Sequence, residues 1–151
     1  MVKEKEGAVG QETSRGSSKI VITVLYTTQA STARALDAAI RLAKGFDTSI
    51  EIVVPEVVPF ALELDHPAID TRTLLSQVCE LTHGVPVETA VHLCLGREVE
   101  QILSIVLKPD SIVVIGEREP LWLGRYHRLS EYLRARGHHV IFTNPRSKHH
   151  A

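Results

Sequence analysis

Along residues 19–143, apolar runs of strand length alternate with amphipathic stretches, and this alternation constrains the fold more than any other feature. Lys19–Tyr26 reads Lys-Ile-Val-Ile-Thr-Val-Leu-Tyr. Such an apolar, β-branched run suits a strand covered on both faces. Thr27, Thr28 and Ser31 then offer oxygens for a helix N-cap. Ala33, Leu36, Ile40 and Ala43 recur at helical spacing until Gly45, a residue type that ends helices. The unit then repeats. Ser49–Val54 predicts a second strand, followed by a loop holding Pro55 and Pro59. A helix over Pro67–Thr82 comes next, with Leu74, Val78 and Leu81 as its buried stripe and Pro67 in its first turn. Val87–Leu95 predicts a third strand, leading through Gly96 to a helix over Glu98–Leu107. Ser111–Ile115 is the fourth strand, ending at Gly116. A helix over Arg125–Arg136 and a short strand at Val140–Phe142 complete the series.

Strands separated by helices imply right-handed crossovers and a parallel sheet with helices on both faces. The expected fold is therefore α/β, a single three-layer α/β/α domain over residues 19–143. In open sheets of this kind ligands bind beyond the carboxyl ends of the strands, where strand order reverses. That rule points to Tyr26–Ser31 and Gly116–Ser130.

Composition supports this reading and excludes others. With 151 residues, 44% of them hydrophobic and 23% charged, the chain has a core large enough to stand without disulfide or metal. Residues 1–18 hold too little apolar surface to offset the entropy of ordering, so they are expected to form a disordered leader, with 144–151 a flexible tail. No apolar run reaches the roughly 18 residues of a membrane span, and no secretory signal pattern opens the chain. The expected location is the cytoplasm, with Cys79 and Cys94 as thiols. Their spacing does not suggest a zinc site.

The net charge of −1 argues against a generic binder of nucleic acid or membrane surfaces. It conceals an asymmetry. Residues 19–110 carry seven basic and twelve acidic side chains, whereas residues 111–151 carry seven basic and three acidic, along with five of the eight histidines.

The strand and Ser/Thr-rich turn leading into the Ala-rich helix at Thr27–Ala43, together with Asp110-Ser-Ile-Val-Val-Ile-Gly116, resemble the universal stress protein family over residues 19–143. The resemblance implies a five-stranded parallel sheet in the order 3-2-1-4-5, of the adenine-nucleotide-hydrolase-like type. Many members of that family bind ATP through a motif of Gly, two residues, Gly, nine residues, then Gly and Ser or Thr. Glycines let backbone amides close on phosphates, and a hydroxyl at a helix start completes the cradle. Laid on this chain, the motif begins at Gly116, meets Glu119 and Leu129 at its other glycine positions, and ends on Ser130. Glu119 puts a carboxylate where phosphates would sit, and Pro120 removes a backbone donor beside it. Tyr26 and Thr27 stand where ATP-binding members tend to have Asp. The resemblance thus implies a diverged member with a degenerate nucleotide motif. It also implies a homodimer formed through the edge strand Val140, Ile141 and Phe142.

The candidate ligand-binding residues are Tyr26, Thr27, Thr28, Gly116, Arg118, Arg125, His127, Arg128 and Ser130. Arg118, Arg125, His127 and Arg128 either converge on an anion at a helix N-terminus or solvate the last helix and pair with Glu117, Glu119 and Glu131. Thr27, Thr28, Ser31 and Thr32 either hold a ligand or cap the first helix, and capping suffices to explain them. Ser130 is either a phosphate ligand or an ordinary helix residue. Trp122, between Leu121 and Leu123, either seals the core or marks a protein contact.

No catalytic residue is assigned. There is no Gly-x-Ser-x-Gly elbow, His138 and His139 have no evident metal partners, and the cysteines carry no expected redox role. The expected function is that of a non-catalytic regulatory domain that dimerises or binds a partner and needs no cofactor. One alternative is binding or slow hydrolysis of ATP or AMP at a diverged site after strands one and four. Another is sensing of an anionic second messenger, or association with a sensor kinase or transporter, by analogy with the similar domain of some potassium sensor kinases.

Overall fold

The computed structural model describes residues 19–58, 70–116 and 123–143, with side chains described from Tyr126 in the last segment. The leader, the tail, Pro67, Arg118, Glu119, Trp122 and the Arg125 side chain lie outside the described residues. In chain order the elements are β1 (Ile20–Leu25), α1 (Gln29–Ala43), β2 (Thr48–Val57), α2 (Thr71–Leu81), β3 (Glu88–Gly96), α3 (Val99–Val106), β4 (Ile112–Gly116), α4 (Leu123–Ala135) and β5 (His139–Thr143).

All strand pairings are parallel, and the sheet order is β3-β2-β1-β4-β5, as the resemblance implied. Period-two alternation sends Ile22, Val24, Ile50, Ile52 and Val114 to one face, where they pack with Ala35, Leu36 and Ala39 of α1 and Val78 of α2. Leu25, Val53, Val113 and Ile115 point to the other face and pack with Leu103 of α3 and Leu129 and Leu133 of α4. Because both faces are covered, β1 and β4 read as nearly unbroken apolar runs, with Thr23 the one polar residue of β1. No helix among the described residues is long and apolar enough to cross a membrane.

Two boundaries differ from the sequence expectation by more than two residues. Helix α2 starts at Thr71 instead of Pro67. Asp70 is its N-cap, with Oδ1 accepting from the Arg72 N–H at 3.1 Å and Oδ2 from the Thr73 hydroxyl at 2.7 Å, and these bonds set the start. Strand β2 does not stop at Val54 but runs through Pro55 to Val57. The Val53 carbonyl accepts from the Tyr26 N–H at 2.9 Å, so Val53 and, two residues on, Pro55 both face β1. Strand β1 ends at Leu25, so Pro55 lacks its N–H only where no ladder partner remains, while β3 continues alongside as far as Gly96.

The first helix begins as expected. Thr28 is its N-cap and accepts from the Ser31 N–H at 3.2 Å, and the Thr32 hydroxyl accepts from the Thr27 N–H at 3.0 Å. At the opposite end of the sheet, Gly137 (φ +93°) turns α4 into β5. The neighbouring His138 is buried, and its Nδ1 accepts from the Ser111 N–H at 3.2 Å. It is a structural histidine that joins the β4 and β5 starts.

Candidate functional site

Strand order reverses between β1 and β4, because the connection leaving β1 runs to one face of the sheet and the one leaving β4 to the other. An open cleft of about 990 Å³ lies at the carboxyl ends of β1 and β2. Its floor is Leu25–Thr28 and Pro55–Val57. The start of α3 (Glu98–Glu100) forms one wall, and Tyr126, Arg128, Leu129 and Tyr132 of α4 form the other.

Of the expected ligand residues, Tyr26, Thr27, Thr28 and Arg128 line this cleft. Arg118 and the Arg125 side chain lie outside the described residues, and the other described candidates are engaged elsewhere. Gly116 sits beneath the first turn of α1, where a Cβ would land on the Ser31 carbonyl. Its own carbonyl is 3.5 Å from the Thr27 hydroxyl. Ser130 is fully buried inside α4 and donates to the His127 carbonyl at 2.8 Å. His127 Nε2 stands 3.0 Å from Glu131 on the exposed side of the same helix. Leu129, at another motif position, packs in the core.

Several cleft residues carried no sequence signal of function. The sequence pattern places Glu56 in a loop, yet the extended β2 holds it in the cleft floor at 6% exposure. It has no hydrogen-bond or ion-pair partner among the described residues, and burial pushes its carboxyl above the usual range. Glu98 occupies the N-cap position of α3 without a side-chain capping bond, and Glu100 stands in the first turn. Carboxylates there complement the helix dipole. Tyr26, Tyr126 and Tyr132, the three tyrosines of the chain, all line the cleft. Burial raises the Tyr26 phenol, and the Tyr132 ring carries the Arg136 guanidinium 4.5 Å from its centroid.

The described lining of the cleft contains no cysteine, histidine or serine. The thiol of Cys94, beyond the cleft on β3, is pushed up by burial and so is held away from the reactive thiolate. Among the described residues no group of three His, Cys, Asp or Glu side chains is placed to hold a metal ion.

The architecture matches a known structure. The crystal structure of a protein from the universal stress protein family of Burkholderia pseudomallei superposes with a TM-score of 0.53 at 23% identity, over 85% of this chain and 98% of that one. The chain has the universal stress protein fold. No family model matches the sequence, and no curated protein matches it either. The cleft lies at the carboxyl ends of β1 and β2 within this fold, and neither Gly116 nor Ser130 lines it. Its described lining carries three carboxylates against one guanidinium.

Proposed function

We propose that this chain is a non-catalytic domain of the universal stress protein type that works by association, pairing with a second copy through β5 and the apolar surface beside it. The observation that carries this reading is the β5 edge. Among the described residues β5 pairs only with β4. The His139 N–H bonds the Ser111 carbonyl across that ladder, so Val140 and Phe142 direct their main-chain groups outward. An outward row of this kind is a template for a further strand. Beside it Ile20, Leu42 and Phe46 are exposed, Phe46 at 65%, around an apolar hollow that reaches Ile141. Exposed apolar surface next to an open edge favours a protein contact.

One feature moderates the edge. The Arg134 guanidinium donates to the outward Val140 carbonyl at 3.0 Å, so pairing along the whole strand exchanges that bond for a backbone one. Light scattering on the intact chain at tens of micromolar tests the proposal, a two-chain mass supporting it and a one-chain mass removing it.

Binding of ATP or AMP in the cleft is the second reading. Its support is the position at the carboxyl ends of β1 and β2, beside the reversal of strand order, and Arg128 in the lining. Glu56, Glu98 and Glu100 oppose a polyphosphate electrostatically, which is why association is preferred.

A further inference from the structure

We propose that the cleft at the carboxyl ends of β1 and β2 binds a small alkyl di- or polyamine, with one ammonium donating to Glu56 and a second held near Glu98 and Glu100. The site is independent of the β5 surface.

The strongest indication is Glu56. Some described carboxylates are satisfied at the surface, where Asp70 accepts at its helix cap, Glu88 pairs with Lys19 at 2.8 Å, and Glu131 lies against His127. Glu56 is more than nine-tenths buried, lines the cleft and has no partner among the described residues. Burial around a carboxylate that meets only cleft solvent adds a cost to its charge. A ligand that brings N–H donors and positive charge removes that cost, whereas a phosphate adds to it.

The surrounding chemistry matches the same ligand class independently. All three tyrosines of the chain line one cleft that also holds three carboxylates. Aromatic faces attract organic cations, and the tyrosines also cover alkyl segments between charged ends. Tyr132 already takes a cation of the protein itself, the Arg136 guanidinium. Glu56 requires a hydrogen-bond donor, which selects primary and secondary ammonium groups over quaternary ones. Separate carboxylates on β2 and at the start of α3 suit a ligand with two spaced ammonium groups. A volume of about 990 Å³ admits such a chain without rearrangement.

Calorimetric titration of the intact chain with spermidine tests the proposal, with putrescine, tetramethylammonium, magnesium chloride and ATP as parallel probes. The expected result is saturable spermidine binding, weaker putrescine binding, and no heat from tetramethylammonium. Glu56→Gln should weaken spermidine binding at least tenfold while keeping a cooperative thermal transition, and Glu100→Gln should weaken it less. The proposal is overturned by the absence of spermidine binding at millimolar concentration, by unchanged affinity in Glu56→Gln, by magnesium displacing spermidine at equal concentration, or by ATP occupying the cleft.

Discussion

A Cβ on Gly116 would fall on the carbonyl of Ser31, so the last residue of β4 and the first turn of α1 meet with no space for a side chain between them. This contact explains the glycine by packing alone. Gly116 is also where the nucleotide motif of the resemblance begins, and the two roles are separable by experiment.

Gly116→Ala should destabilise the domain by about 2 kcal/mol, because the obstructing atoms are backbone and one element has to shift. Chemical denaturation of the intact chain checks this. An alanine variant of wild-type stability would show that α1 and β4 approach less closely than described.

Thr28→Ala removes the side-chain acceptor for the Ser31 N–H at the start of α1. The expected loss is about 1 kcal/mol, measured in the same way, and Thr28→Ser should retain most of the stability. Asp70→Ala should act similarly on α2, where two bonds to the Asp70 carboxylate are lost.

Glu56 gives a pH dependence whose sign follows from burial. Its neighbours in the cleft are Tyr26 from β1, Glu98 and Glu100 from α3, and Tyr126, Arg128 and Tyr132 from α4. The folded state holds the Glu56 proton to higher pH than the unfolded chain does, because the carboxyl is raised from its ordinary value of 4.5. The stability it contributes is therefore present in acid and is lost as pH rises from about that value through the raised one. Glu56→Gln should remove this slope and stabilise the domain near pH 7 by on the order of 1 kcal/mol. Urea denaturation of both proteins between pH 4 and pH 7 measures the difference. A less stable Gln variant at pH 7 would mean that the carboxylate has a partner.

Arg134→Ala frees the Val140 carbonyl on the outer side of β5. If that edge pairs, the variant should associate several-fold more tightly than wild type in sedimentation equilibrium. Unchanged or weaker association would place the contact elsewhere.

The fold was legible because the strands are buried on both faces. Ile22 and Val24 face one helical layer and Val113 and Ile115 the other, so their runs are almost wholly apolar and their number and spacing imply a parallel sheet. The helix caps at Thr28 and the turn at Gly137 are local chemistry and read directly. The cleft was less legible. Tyr26, Thr27, Thr28 and Arg128 were found from strand order and the family pattern, but Ser130 is turned into α4 and His127 toward Glu131. Glu56 escaped notice because Pro55 reads as the end of a strand, and the reason it is not depends on where β1 stops, a relation between segments far apart in sequence. Tyr126 and Tyr132 read only as residues of a helix, since their meeting with Tyr26 exists only once the sheet and α4 are assembled.

The most direct test of the central claim, that the domain acts by association through β5 and its apolar flank, is multi-angle light scattering on the intact wild-type chain and on Phe46→Glu at tens of micromolar. Phe46 is 65% exposed, so a charge there leaves the fold intact and disrupts only a contact. The account predicts a two-chain mass for wild type and a shift toward a single chain for Phe46→Glu. A single-chain mass for wild type, or a two-chain mass unaffected by the substitution, would contradict it.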